Sequence, residues 1–96
     1  MRAEISYDLV MGEDMAFVEG AYRLPGGDWQ IVVVSRYDGQ EPVVLPQRWE
    51  SGAFGVLVQF PRSVPLNRAT VERVLSAALG VREWVLVRGP DSMQFR

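Results

Sequence analysis

The sequence predicts an α+β fold: a mostly antiparallel sheet of five to six strands, in the order β-β-β-β-β-α-β, with a single amphipathic helix packed on one face. Three observations predict it. Most apolar residues fall in short runs with strand character, separated by turn clusters rich in Gly, Pro and Asp. One stretch alone, Asn67 to Gly80, has helical spacing and helix-end signals at both ends. No run approaches the ~18 apolar residues of a membrane-spanning helix, and 96 residues are enough for one domain with a single core.

In the helix, Val71, Val74, Leu75, Ala78 and Leu79 recur at the three-and-four spacing of one face, with Arg68, Glu72, Arg73 and Ser76 directed elsewhere. Asn67 is the expected N-cap, since its side chain can accept from the free N–H groups of the first turn. Leu66 can close on Val71 as a hydrophobic staple. Gly80 is the expected left-handed C-terminal cap, turning Val81 back onto the last turn.

Glu4 to Met11 alternates, with Ile5, Tyr7, Leu9 and Met11 on one side, as in a half-buried strand. The turn Gly12-Glu13-Asp14 leads into a second strand, Met15 to Leu24, in which Gly20 suggests a bulge. Pro25 to Asp28 form the next turn, and Trp29 to Tyr37 a third strand, whose Ile31-Val32-Val33-Val34 faces both sides and belongs in the sheet centre. Asp38-Gly39 is a type I′ hairpin signal. The return strand, Val43 to Leu45, is bracketed by Pro42 and Pro46 and should lie at an edge, because proline cannot donate to a ladder. Gln47 to Gly52 reads as loop.

Ala53 to Phe60 is a further strand, its heavy face of Phe54, Val56, Val58 and Phe60 expected to meet the helix. Glu83 to Arg88 is a second two-faced strand, and the link from Phe60 to Glu83 is long enough for a crossover between parallel strands. Gly89-Pro90 is a turn before an optional last strand holding Met93 and Phe95. A helix of about 12 residues, roughly 18 Å long, covers only part of one sheet face. Either the sheet curls into a partial barrel or a second copy packs on the open face; a homodimer is the expectation, two-fold pairs being the commonest assembly.

Composition removes much chemistry. The chain has no histidine and no cysteine, and its ten basic residues are all arginine. Thiolate and imidazole nucleophiles, the usual zinc sites, Schiff-base lysines and the P-loop lysine are therefore excluded within it. No cofactor is expected, and no catalytic or metal-binding residue is singled out. MRAEISYDL does not read as a secretory leader, so a soluble cytoplasmic protein is the expectation.

The net charge of −2 is uneven: residues 1–50 sum to 4 − 9 = −5 and residues 51–96 to 6 − 3 = +3. The bland reading is that the two sets meet within the molecule; the sharper one is a basic patch for an anion, made of Arg62, Arg68, Arg73, Arg82, Arg88 and Arg96. Phe54-Gly55 also stands as in the aromatic RNA-binding strand, but Val56 and Gln59 occupy the places of its other stacking aromatics and the first helix of that motif is missing. A core strand is the better reading, and the pI near 5.0 opposes a dominant phosphate-binding role.

For protein contacts the candidates are Arg48 with Trp49, Trp29 and Tyr37, residue types enriched at binding hot spots, and the light strand face of Ala53, Gly55 and Leu57. Trp49 lies in a polar loop where no periodicity demands a ring; Trp29 is expected to cap the core. Carboxylates at the turns, Glu13, Asp14, Asp28 and Glu41, have no motif spacing and read as solvated turn residues. The function expected is that of a small non-enzymatic interaction module, a self-associating subunit, regulator or inhibitor. The alternatives are a nucleic-acid-binding module using the C-terminal arginines and a small carboxylate-based hydrolase.

Overall fold

A computed structural model describes residues 1–11 and 17–88. The expected turn at Gly12-Glu13-Asp14, the start of the second strand and the terminal strand with Met93 and Phe95 lie outside those residues. The elements are β1 (Arg2–Met11), β2 (Phe17–Arg23), β3 (Gln30–Tyr37), β4 (Val43–Arg48), β5 (Phe54–Pro61), α1 (Arg68–Leu79) and β6 (Glu83–Arg88).

The strands form one open sheet in the order β4-β5-β3-β2-β1-β6. The pairs β1/β2, β2/β3 and β4/β5 are antiparallel, whereas β1/β6 and β3/β5 are parallel. The sheet is therefore mixed, and the expectation of a mostly antiparallel one is corrected. The reason is the crossover: β5 runs parallel to β3, and the chain then travels through α1 across the sheet to add β6 parallel to β1 at the far edge. With β4 and β6 at separate edges, the sheet does not close into a barrel among the described residues.

The Asp38-Gly39 hairpin is a second correction. β3 and β4 do not pair, because β5 lies between them. Gly39 does not take the positive φ of a type I′ turn; its hydrogen faces the Tyr37 ring, which a Cβ at 39 would meet at 2.1 Å. The Tyr37 hydroxyl donates to the Glu41 carbonyl and ties the connection down. Pro42 and Pro46 do place β4 at an edge, leaving the inner position, with partners on both sides, to the proline-free part of β5. The hairpin forms one turn later. Trp49 N–H donates to Ala53 O at 3.0 Å, and Gly52, at φ 88°, donates to Trp49 O at 2.8 Å. The strand thus runs through Gln47 and Arg48, which the sequence assigned to loop.

The bulge expected at Gly20 is on the opposite strand. Tyr7 pairs with Gly20 and Leu9 with Glu19, so β1 carries the extra residue. A Cβ at Gly20 would lie 2.2 Å from Ser6 O, and the glycine permits that approach.

One face of the sheet holds the core. Ile5, Tyr7, Tyr22, Val32, Val34, Val56, Val58 and Phe60 pack against Leu66, Val71 and Leu75. Val74 and Leu79 join them half-buried, while Ala78 is exposed and Phe54, expected on the heavy face, is 56% exposed. Both helix caps form as the sequence implies. Asn67 Oδ1 accepts from Thr70 N–H at 3.0 Å, the Thr70 hydroxyl accepts from Asn67 N–H at 3.1 Å, and Gly80 takes φ 72°. Arg68 and Glu72, expected to face outward, turn inward: Glu72 Oε2 accepts from Tyr7 at 2.8 Å and from Arg68 Nε at 2.5 Å.

Candidate functional site

The alternation of strand side chains fixes what the other face carries. Since Val32, Val34, Val56 and Val58 point to the helix, Ile31, Val33, Gly55 and Leu57 point away from it. The register places Val33 opposite Leu57 and Leu57 opposite Leu45, an apolar row across β3, β5 and β4. Ile31, Gly55 and Gln47 form the row beside it on one side, and Ser35, Gln59 and Val43 the row on the other. Among the described residues no element packs on this face. Neighbouring side chains shade one another, so Ile31, Val33 and Leu57 are half-exposed, while Leu45 at the edge is 40% exposed.

The β2-β1-β6 half is more polar. Arg23 Nε donates to Glu4 Oε1 at 2.8 Å, and the same guanidinium lies 4.8 Å from the centre of the Trp29 ring. Trp29 is 41% exposed and forms one wall of a hollow of about 330 Å³ with Ser6, Ala21, Val87 and Arg88. It does not cap the core, and that expectation is corrected: the residue precedes β3 on the side away from the helix, where small Ser6 and Ala21 leave room for its ring.

Arg48 stacks 5.1 Å above the Phe54 ring, beside a second hollow of about 370 Å³ where β5 begins, lined by Gln30, Pro46, Gln47 and Gly55. Trp49 is half-buried at the start of the adjoining turn. Gly55 has a structural explanation: a Cβ there would lie 1.8 Å from Ile31 O, so the glycine lets β3 and β5 approach. A third hollow, about 600 Å³, runs between α1 and β4 past Val74, Ala77, Ala78, Glu41, Pro42 and Val44.

The arginines are dispersed over the loop before α1, the helix, the turn after it and the end of β6. Arg62 pairs with Asp38 at 3.0 Å and Arg68 with Glu72. Arg73, Arg82 and Arg88 are exposed, and Arg96 lies outside the described residues. Glu13 and Asp14 lie outside them as well. Asp28 is exposed at a turn, and Glu41 is the one acid lining any of the three hollows above. Among the described residues no group of three or more Asp or Glu side chains could hold a metal ion, and no helix is long and apolar enough to cross a membrane.

Sequence reading missed Val33 and Leu45 as surface partners of Leu57, because their alignment depends on β5 pairing with both β3 and β4. It also missed Arg36, whose Nη1 donates to Pro61 O at 2.8 Å and Val64 O at 2.6 Å and fixes the entry to the helix. Comparison of the chain with protein-family models, with curated proteins and with solved structures finds no match.

Proposed function

We propose that the chain is a small interaction module without catalytic activity, a subunit, regulator or inhibitor that works by docking the helix-free face of its sheet on another protein surface. The observation that carries this reading is the row Val33–Leu57–Leu45, apolar side chains aligned across three strands with no cover from the described residues. Ordered apolar rows are what a two-layer fold uses on its core face; a second one on the opposite face marks an interaction surface. The Arg23–Trp29 stack flanks it with the residue types that anchor interfaces.

The test uses the absence of native cysteine. In Leu57→Cys, the thiol is expected to react with a maleimide in dilute solution at a rate close to that of Arg73→Cys on the exposed helix surface. A thiol at position 57 that reacts slowly at dilution means the chain covers its own face, and the reading fails. A nucleic-acid module would instead be retained on heparin and released steeply by salt. With Arg62 and Arg68 held by acids, no retention is expected at about 50 mM salt.

A further inference from the structure

We infer that Asp38-Gly39 is a site of spontaneous covalent modification, where the aspartate converts to isoaspartate after the Gly39 backbone nitrogen attacks its side chain. By sequence alone the pair belongs in a type I′ turn. The sheet removes that role, because β5 stands between β3 and β4 and Gly39 lacks the positive φ such a turn needs. What remains is the chemistry of the dipeptide.

The reaction needs no partner but water. Gly39 N bonds to Cγ of the protonated Asp38 carboxyl, the amide hydrogen and the carboxyl hydroxyl leave as one water, and a five-membered succinimide closes. Water then opens the ring. Cleavage of the new N–Cγ bond restores aspartate. Cleavage of the original bond, between Gly39 N and the Asp38 carbonyl carbon, leaves the main chain running through Cβ and Cγ with the α-carboxyl free. The water lost is regained, so mass is unchanged.

The structure meets the three requirements of this chemistry. The carboxyl must be free to turn: the Asp38 side chain is 89% exposed, and its contact is an ion pair at 3.0 Å with Arg62, itself 67% exposed, a class of contact that restrains little. The attacking nitrogen must be accessible: Gly39 has no side chain, and among the described residues its N–H enters no backbone hydrogen bond. The backbone between them must lie outside the ladders, and residues 38–42 belong to no strand or helix. The opposing restraint is Tyr37, whose ring lies against Gly39 and whose hydroxyl donates to the Glu41 carbonyl. That tie spans the dipeptide without bonding to either reacting atom, and one exposed hydrogen bond slows an opening by about tenfold at most.

The site is selective. The other aspartates precede Leu9, Met15, Trp29 and Ser92, whose side chains crowd the nitrogen that would attack. The altered main chain falls in the connection that brings in β4, an edge strand that pairs with β5.

The test incubates the folded chain and a guanidinium-unfolded sample side by side for weeks at neutral pH. Trypsin then cuts after Arg36 and Arg48 and releases peptide 37–48. In the folded sample, part of this peptide should become a species of equal mass and shifted retention that an isoaspartyl-specific methyltransferase methylates. Its rate should lie within about tenfold of the unfolded sample, the limit set by the Tyr37 tie. Asp38→Glu keeps the carboxylate but would have to close a six-membered ring, and should stop the conversion with an unchanged far-ultraviolet spectrum. Asp28, exposed at a turn but followed by Trp29, is the internal standard, and its peptide 24–36 should convert far more slowly. If peptide 37–48 of the folded chain converts no faster than peptide 24–36 while the unfolded sample converts, the fold closes the site and the inference is overturned. Conversion that persists in Asp38→Glu, or that fails even in the unfolded sample, overturns it as well.

Discussion

The Tyr7 hydroxyl of β1 donates to Glu72 Oε2 of α1 at 2.8 Å, joining residues 65 apart in the chain. The same carboxylate accepts from Arg68 one helical turn earlier, and the next turn of the helix receives Trp84 of β6, whose Nε1 donates to Ser76 Oγ at 2.8 Å and Glu72 O at 3.2 Å. Apolar burial alone would let the helix slide over the sheet. These directional bonds tie the helix to β1 and β6 on the face that holds the core.

Tyr7→Phe keeps the ring in the core and removes only the donor. Glu72 retains Arg68 and some access to water, so the loss should lie toward the low end for a hydrogen bond to a charged group, about 1 to 2 kcal/mol. Urea denaturation should show a lower midpoint with an unchanged slope. A midpoint equal to that of the parent chain would mean that the bond adds nothing to the docking of α1.

Leu75 is wholly buried, at the centre of the contact between α1 and the sheet. Leu75→Ala should cost about 2 to 5 kcal/mol through lost transfer energy and the cavity left behind. Against a total of roughly 5 to 15 kcal/mol for a domain, this is a large share. The same denaturation experiment checks it, and a loss under about 0.5 kcal/mol would show that the helix does not rest on this residue.

The helix was readable in the sequence because its determinants are local. Asn67, Thr70 and Gly80 act within one turn of themselves, and their caps form where composition puts them. Strand positions were readable for the same reason, through alternation and turn residues. Strand order was not. Asp38-Gly39 carries a strong local hairpin signal, yet β5 arrives later in the chain and takes the place beside β3, because Pro42 and Pro46 confine β4 to an edge. Glu72 likewise looks like a solvated helix residue until Tyr7, distant in sequence, gives it a buried partner. The open face was inferable from the shortage of helix, whereas the row that marks it required the register.

Gly55 and its neighbour strand give a test of that register. An added methyl would lie 1.8 Å from Ile31 O, and the obstacle is backbone, which cannot rotate aside as a side chain can. Gly55→Ala should separate β3 from β5 locally and cost about 1 to 3 kcal/mol, the range for overpacking. In the same strand, Gln59→Ala on the open face should change stability by less than about 0.5 kcal/mol. Comparable melting shifts for the two variants would contradict the close β3–β5 approach.

Alkaline pH should lower the protein's stability through Tyr7. Its phenol is held above the ordinary value of 10.0, first by burial, then by the negative charge of Glu72 and by the hydrogen bond to it, with Arg68 opposing. Tyr22 is shifted in the same direction by burial. Below pH 10 both folded and unfolded states keep the protons, and stability does not depend on these groups. Above it the unfolded chain releases them while the folded one retains them, so the folded state binds more protons and stability falls as pH rises. For Tyr7 the limiting slope is about 1.4 kcal/mol per pH unit. Urea midpoints measured from pH 9 to 11 should therefore be flat at first and then decline. Tyr7→Phe should make the decline shallower although it lowers the starting stability; equal slopes in the two chains would exclude Tyr7 as the titrating group.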